Sequence, residues 1–191
     1  MELLKNKIRT HGKVAAGNIL KVDSFLNHQI DAELMAEIGK EFYRLFKDEG
    51  VNKIMTIEAS GIAVGCMTAL AFKCPLVFAK KNKTLNISGD VYTCKVESYT
   101  HKNTYDITVS KDFLNKGDKI LIVDDFLAMG NALIGLRQLA EEAGAEVVGA
   151  GIVIEKAFQP GGDLLRKSGF RVESLSRVIS MSPEEGVQFI D

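Results

Sequence analysis

The segment Lys119-Ile-Leu-Ile-Val-Asp-Asp-Phe-Leu-Ala-Met-Gly-Asn-Ala132 constrains this chain more than any other stretch. Four apolar residues, Ile120, Leu121, Ile122 and Val123, precede a pair of acids, and three of the four are β-branched. Such a run reads as a strand covered on both faces, the habit of parallel sheets. Asp124 and Asp125 come where this strand is predicted to end. Small and turn-forming residues follow, and then Leu133, Leu136, Leu139, Ala140 and Ala143 recur at helical spacing up to Gly144. A strand, a tight turn and a helix start aim several backbone N–H groups into one concavity, which suits a phosphate. Acids beside that nest suit sugar hydroxyls or a magnesium ion. A phosphorylated sugar needs both. Taken apart, an acid pair is also a common solvated turn, and Gly130 a common turn residue.

The rest of the chain alternates strands with helices. Residues 1–30 are mixed, with Gly12 and Gly17 around a short apolar stretch, and read as an irregular N-terminal flap. Asp31 caps a predicted helix whose apolar stripe is Leu34, Ile38, Phe42, Leu45 and Phe46, ended by Gly50. Strands are expected at 53–57, 75–79, 146–154 and 172–179, with helices at 62–72 and 163–168. Between 80 and 109 Thr, Val, Tyr and charged residues alternate around Gly89-Asp90, as the arms of an antiparallel hairpin do. Strand–helix alternation implies an α/β fold with a parallel sheet flanked by helices. No repeat, linker or low-complexity tract interrupts it, so residues 1–191 are expected to form one domain.

Composition narrows the function. The 191 residues carry 24 Lys and Arg against 25 Asp and Glu, a formal charge of −1, so no broad basic field exists for nucleic acid. Cys66, Cys74 and Cys94 show no CxxC spacing, which argues against a disulfide framework or zinc site and favours a reducing compartment. Met1-Glu-Leu-Leu-Lys has no apolar core of a signal peptide, and Ile62 to Phe72 is too short to span a bilayer. A cytoplasmic protein without nucleic-acid or membrane partners is expected.

Ligands in such sheets bind outside the carboxyl ends of the strands. Glu58-Ala59-Ser60-Gly61 lies at one such end, where small residues let backbone amides approach an anion. The same residues also read as a plain turn with Ser60 as helix cap. Lys80 and Lys81 follow the 75–79 strand, where a lysine cluster is commonly solvated but beside an anion site would offset the anion's charge. Lys156 follows the 146–154 strand, where its ammonium would point a compact donor at the cleft or simply face water. Gly149-Ala-Gly151 fails as a dinucleotide motif because Ile154 stands at the third glycine position. His11, His28 and His101 are scattered without metal spacing and read as structural or solvated.

The order apolar tetrad, two acids, two apolar residues, small residue, Met129, Gly130, Asn131, small residue resembles the phosphoribosyl pyrophosphate signature of type I phosphoribosyltransferases. Over its whole length the chain is similar to the bacterial purine-salvage branch that uses xanthine. That resemblance implies a type I phosphoribosyltransferase fold with a hairpin lid at 80–109 and a base-covering flap at 1–30. It implies that Ala128, Met129, Gly130, Asn131 and Ala132 hold the 5′-phosphate. Ala59, Ser60, Gly61 and Lys81 would bind pyrophosphate, and Leu20, Asn27 and Lys156 would bind xanthine. Asp124 and Asp125 would stabilise the ribosyl cation, and Ser98, Tyr99 and Thr100 would belong to the lid. It further implies a homodimer, phosphoribosyl pyrophosphate as co-substrate and magnesium carried mainly by that co-substrate, with no dedicated protein metal site. Competing readings are an adenine- or guanine-specific relative and a phosphoribosyl-pyrophosphate-sensing regulator of transcription. The regulator needs an added DNA-reading domain, for which about thirty residues before the first clear helix are too few.

Overall fold

The computed structural model describes residues 1–81, 89–97 and 104–190. Its N-terminal segment opens on a helix rather than an irregular flap: α1, Glu2–His11. Leu4 and Ile8 lie one turn apart and are buried, and Gly12 follows the last turn. A short antiparallel pair, β1 (Lys13–Ala15) and β2 (Ile19–Lys21), comes next. A π-helical turn at Asp23–Asn27 then buries Phe25 and Leu26 completely.

α2 (Ala32–Phe46) follows the predicted stripe, with Leu34, Ile38, Phe42 and Phe46 buried. The Asp31 side chain accepts the Leu34 N–H at 3.1 Å, satisfying one orphan donor of the first turn. β3 (Lys53–Ile57) is buried throughout and leads into α3 (Gly61–Phe72). β4 (Leu76–Lys81) runs two residues past its predicted end, because Lys80 and Lys81 pair with Thr108 and Ile107. The lysines are therefore strand residues rather than a loose cluster. β5 (Val91–Glu97) and β6 (Thr104–Ser110) form the expected hairpin arms. The remaining elements are β7 (Lys119–Leu127), α4 (Asn131–Glu142), β8 (Glu146–Lys156), α5 (Gly161–Lys167), β9 (Val172–Ser182) and β10 (Gly186–Ile190).

Eight strands make one sheet in the order β10-β9-β8-β7-β3-β4-β6-β5. Its centre is parallel, from β9 through β8, β7 and β3 to β4. Both margins are antiparallel, and β10 is an unexpected edge strand. β7 alternates as a doubly covered strand must: Ile120 and Ile122 enter one core cluster with α4, while Leu121 and Val123 enter the other with α2. Complete burial of such side chains stabilises by about 1.5–3 kcal/mol each.

One expectation is corrected here. β7 does not end at its acids, because the ladder with β8 continues to the Leu127–Glu155 pair and carries both acids inside the strand. The hairpin arms share the core of the main sheet. Cys94, Val96 and Ile107 lie in the core beneath α4, and a Cβ at Gly135 would come within 2.5 Å of Val96. The arms are edge strands of the main sheet. Among the described residues no helix is long and apolar enough to cross a membrane.

Candidate active site

Asp124 and Asp125 are only 6% and 7% exposed, although they stand at the ligand end of the parallel sheet. The Asp125 N–H donates to Asp124 Oδ1 at 2.9 Å. Burial pushes the Asp124 carboxyl well above the usual carboxylate range, and the neighbouring Asp125 pushes in the same direction. The Asp125 N–H and the charge of Lys81 pull against them. A Cβ at Gly61 would lie 3.1 Å from Asp124 Oδ1 and overlap Thr56 Oγ1, a buried hydroxyl without a hydrogen-bond partner. Only glycine lets α3 begin so close to this acid. Asn27 Nδ2 donates to Asp125 Oδ2 at 3.5 Å, so the N-terminal turn reaches the second acid.

The loop after β7 turns tightly into α4. Gly130 has φ +88° and ψ 0°, a left-handed conformation that closes the turn directly before α4. The loop is held from outside, since the Gly161 N–H donates to the Ala128 carbonyl at 3.2 Å. Asn131 Nδ2 donates to the Glu97 carbonyl at 3.1 Å, joining the start of α4 to the end of β5. Ala128, Met129 and Ala132 are half-buried around it.

The 58–61 loop is tied to β4 twice. The Glu58 N–H donates to the Ala79 carbonyl at 3.0 Å, and Glu58 Oε1 accepts the Lys81 N–H at 2.6 Å. The Glu58–Ala59 peptide is cis. Ser60 precedes α3, but its hydroxyl makes no capping bond, so the plain helix-cap reading of Ser60 fails. Lys81 Nζ lies 5.7 Å from the centre of the Tyr105 ring. Burial raises the Tyr105 phenol above its ordinary value, and the Asp124 charge adds to it. A cavity of about 560 Å³ separates Ala59 and Ser60 from Asp23, Asn27 and His28. His28 thus faces the cleft, although a single histidine without a spaced partner carried no signal of it.

Lys156 is the last residue of β8, two residues beyond the predicted strand end. Its ammonium donates to the Asn18 carbonyl at 3.0 Å and lies 5.8 Å from the Phe126 ring centre. Burial lowers its pKa. Leu20 is 6% exposed and belongs to the core cluster packed on α2. Beside Lys156, Glu155 turns inward at 1% exposure and receives the Arg166 fork at 2.8 and 2.6 Å. Burial alone would raise its carboxyl. Hydrogen bonds from Arg166 and Ser174 and the charges of Arg166 and Arg177 hold it below the ordinary range instead. Sequence reasoning missed this network, because none of its members share a local motif. Ser98, Tyr99 and Thr100 lie outside the described residues.

The assembly combines a tight glycine turn before a helix, two buried acids on either side of one backbone, and lysines at the ends of β4 and β8, the two strands that flank β3 and β7. Among the described residues no three His, Cys, Asp or Glu side chains stand close enough to hold a metal. Asp124 and Asp125 are the carboxylates that would meet an ion carried in on phosphate oxygens.

The chain belongs to the phosphoribosyl transferase domain family, whose model matches residues 21–173. A xanthine phosphoribosyltransferase of Lachnoclostridium phytofermentans is 58% identical over 186 residues, covering 97% of this chain and 96% of the relative. A xanthine phosphoribosyltransferase of Limosilactobacillus reuteri is 50% identical over 190 residues, covering 100% and 99%. The Giardia lamblia adenine phosphoribosyltransferase complexed with 9-deazaadenine superposes with a TM-score of 0.76 at 20% identity, covering 91% of this chain and 97% of that one. That likeness supports the shared fold.

Proposed function

We propose that the protein transfers the 5-phosphoribosyl group of phosphoribosyl pyrophosphate to a ring nitrogen of xanthine, giving xanthosine 5′-monophosphate and pyrophosphate. The observation that carries this reading is the 58% identity, over 97% of the chain, to a xanthine phosphoribosyltransferase. The reaction serves purine salvage.

Breaking the bond between C1′ and pyrophosphate builds positive charge on the ribose, as in glycoside cleavage. Asp124 and Asp125 bind the ribose hydroxyls and offset that charge. Ala128, Met129, Gly130, Asn131 and Ala132 hold the 5′-phosphate on backbone amides. Ala59, Ser60, Gly61 and Lys81 receive the pyrophosphate. Leu20, Asn27 and Lys156 position the base, and Lys156 donates to an exocyclic oxygen that adenine lacks. The lid residues Ser98, Tyr99 and Thr100 exclude water. No covalent nucleophile is required: the chemistry rests on placement, proximity and charge. Magnesium, when bound with the co-substrate, offsets pyrophosphate charge. The protein works as a cytoplasmic homodimer, two-fold pairing being the commonest soluble assembly.

The test offers purified protein phosphoribosyl pyrophosphate and magnesium with xanthine, guanine, hypoxanthine and adenine in parallel. Xanthine should be used with the highest kcat/KM. Tight phosphoribosyl pyrophosphate binding with no nucleotide formed from any base would overturn the enzyme reading in favour of a sensor.

A further inference from the structure

The cleft between the π-helical turn and the 58–61 loop contains a histidine to which the proposed mechanism gives no work. Asp23, Asn27 and His28 line it from one wall, and Ala59 and Ser60 from the other. Neither wall is free to drift. Phe25 and Leu26 are fully buried under the turn, and the Asp23 carbonyl accepts N–H bonds from His28 and, at 2.7 Å, from Gln29. The Asp31 N–H closes the turn onto the Phe25 carbonyl at 2.9 Å. The opposite wall is tied to β4 through both the backbone and the side chain of Glu58.

A polyanion leaving at Ala59 and Ser60 finds Lys81 on the β4 side of this loop. On the facing wall the Asn27 amide is already directed at Asp125. Asp23 carries the charge of the wrong sign, and an anion meets it only with a cation between them. His28 is the remaining polar side chain of that wall, and an imidazole offers at least one ring N–H in either protonation state. We infer that His28 donates a ring N–H to the pyrophosphate of the co-substrate across this cleft, and so sets co-substrate affinity rather than base choice. This role rests on the phosphoribosyl-transfer reading above, but not on which base is used.

His28→Ala should raise KM for phosphoribosyl pyrophosphate about tenfold or more, the loss expected for a hydrogen bond to a charged group. KM for xanthine and the melting temperature should stay at the parent's values. His28→Gln keeps an N–H donor and should recover most of the affinity. Calorimetric titration with phosphoribosyl pyrophosphate alone should give the same order: parent, Gln variant, Ala variant. Unchanged co-substrate binding in His28→Ala would overturn the inference. So would a loss confined to xanthine, or equal losses in both variants with a lower melting temperature. A parent protein that forms no nucleotide sinks the activity reading, while the calorimetric series still tests His28 by itself.

Discussion

Replacing Gly161 with alanine asks whether the 128–132 loop is held in place from outside. Gly161 opens α5, and its N–H donates to the Ala128 carbonyl. A Cβ at this position would overlap the Ala128 carbonyl oxygen and the Met129 carbonyl carbon, and would lie 2.7 Å from the Met129 oxygen. All three are backbone atoms of the loop, so no side chain can swing aside. Either α5 or the loop has to move. Overpacking of this kind costs about 1–3 kcal/mol. In a chain of this length each kcal/mol lowers Tm by about 2–4 °C, so a drop of about 2–12 °C is expected. The functional effect should be larger, since a displacement of about 1 Å costs a positioned reaction step roughly a hundredfold. Scanning calorimetry gives the first quantity, and titration with phosphoribosyl pyrophosphate followed by xanthine kinetics gives the second. Gly130→Ala is the comparison. It pays the left-handed penalty of about 1–2 kcal/mol, but its Cβ has its tightest contact with Leu165 Cδ1 at 3.2 Å, a flexible side-chain end, and reaches the Gly161 Cα only at an ordinary 3.7 Å. Should Gly161→Ala lose stability yet bind the co-substrate as tightly as the parent, α5 does not set the loop.

Asp124→Asn and Asp125→Asn should each lower kcat by roughly two to three powers of ten. Because burial first, and Asp125 second, raise the Asp124 carboxyl, folded stability falls as pH climbs from its ordinary value of 3.8 toward the folded value; Asp124→Asn should therefore melt above the parent at neutral pH, and normal turnover or a lower Tm would refute this account. Lys156→Ala should reduce kcat/KM for xanthine about ten- to a hundredfold and leave co-substrate binding intact. The xanthine-to-adenine ratio is the measurement, and an unchanged ratio moves base selection to the flap around Leu20 and Asn27. Glu155→Gln leaves the Arg166 and Arg177 charges to the more exposed Asp163, at 4.0 and 3.9 Å, and should cost about 3 kcal/mol, the lower end for a broken buried pair because Arg166 keeps partial solvent access. The Glu155 carboxyl is lowered in the fold, so its contribution is present above the ordinary value of 4.5 and is lost as pH falls through the folded value; urea titrations at pH 7 and pH 4 should show the two proteins converging in acid.

Local pattern sufficed where one face met one core. The α2 stripe, its Asp31 cap and the buried run at 53–57 follow directly from periodicity, and the αL turn at Gly130 follows from the need for a glycine there. Strand lengths were harder to read, because charge suggests an end where a ladder continues. Asp124, Asp125, Lys81 and Lys156 all lie inside strands whose neighbours supply the missing partners. α1 was hidden by Gly12 and Gly17, although Leu4 and Ile8 have helical spacing. β10 is five residues long and is set by its antiparallel partner β9, a contact no local signal encodes. The same holds for His28, which matters only once the 23–27 turn is laid against the 58–61 loop.

The bond from Asn131 to the Glu97 carbonyl has a consequence for chimaeras. Glu97 is the last described residue of its arm and pairs with Thr104, so the arm is finished there by the ladder on one side and by the first residue of α4 on the other. Loop grafts between relatives that join at residues 97 and 104 therefore leave every described residue of β5 and β6, and the bond to α4, in place. A seam placed further back, at 91 and 110, would carry off Cys94, Val96 and Ile107 and strip α4 of its floor. The two arms of the hairpin thus have to travel together with α4.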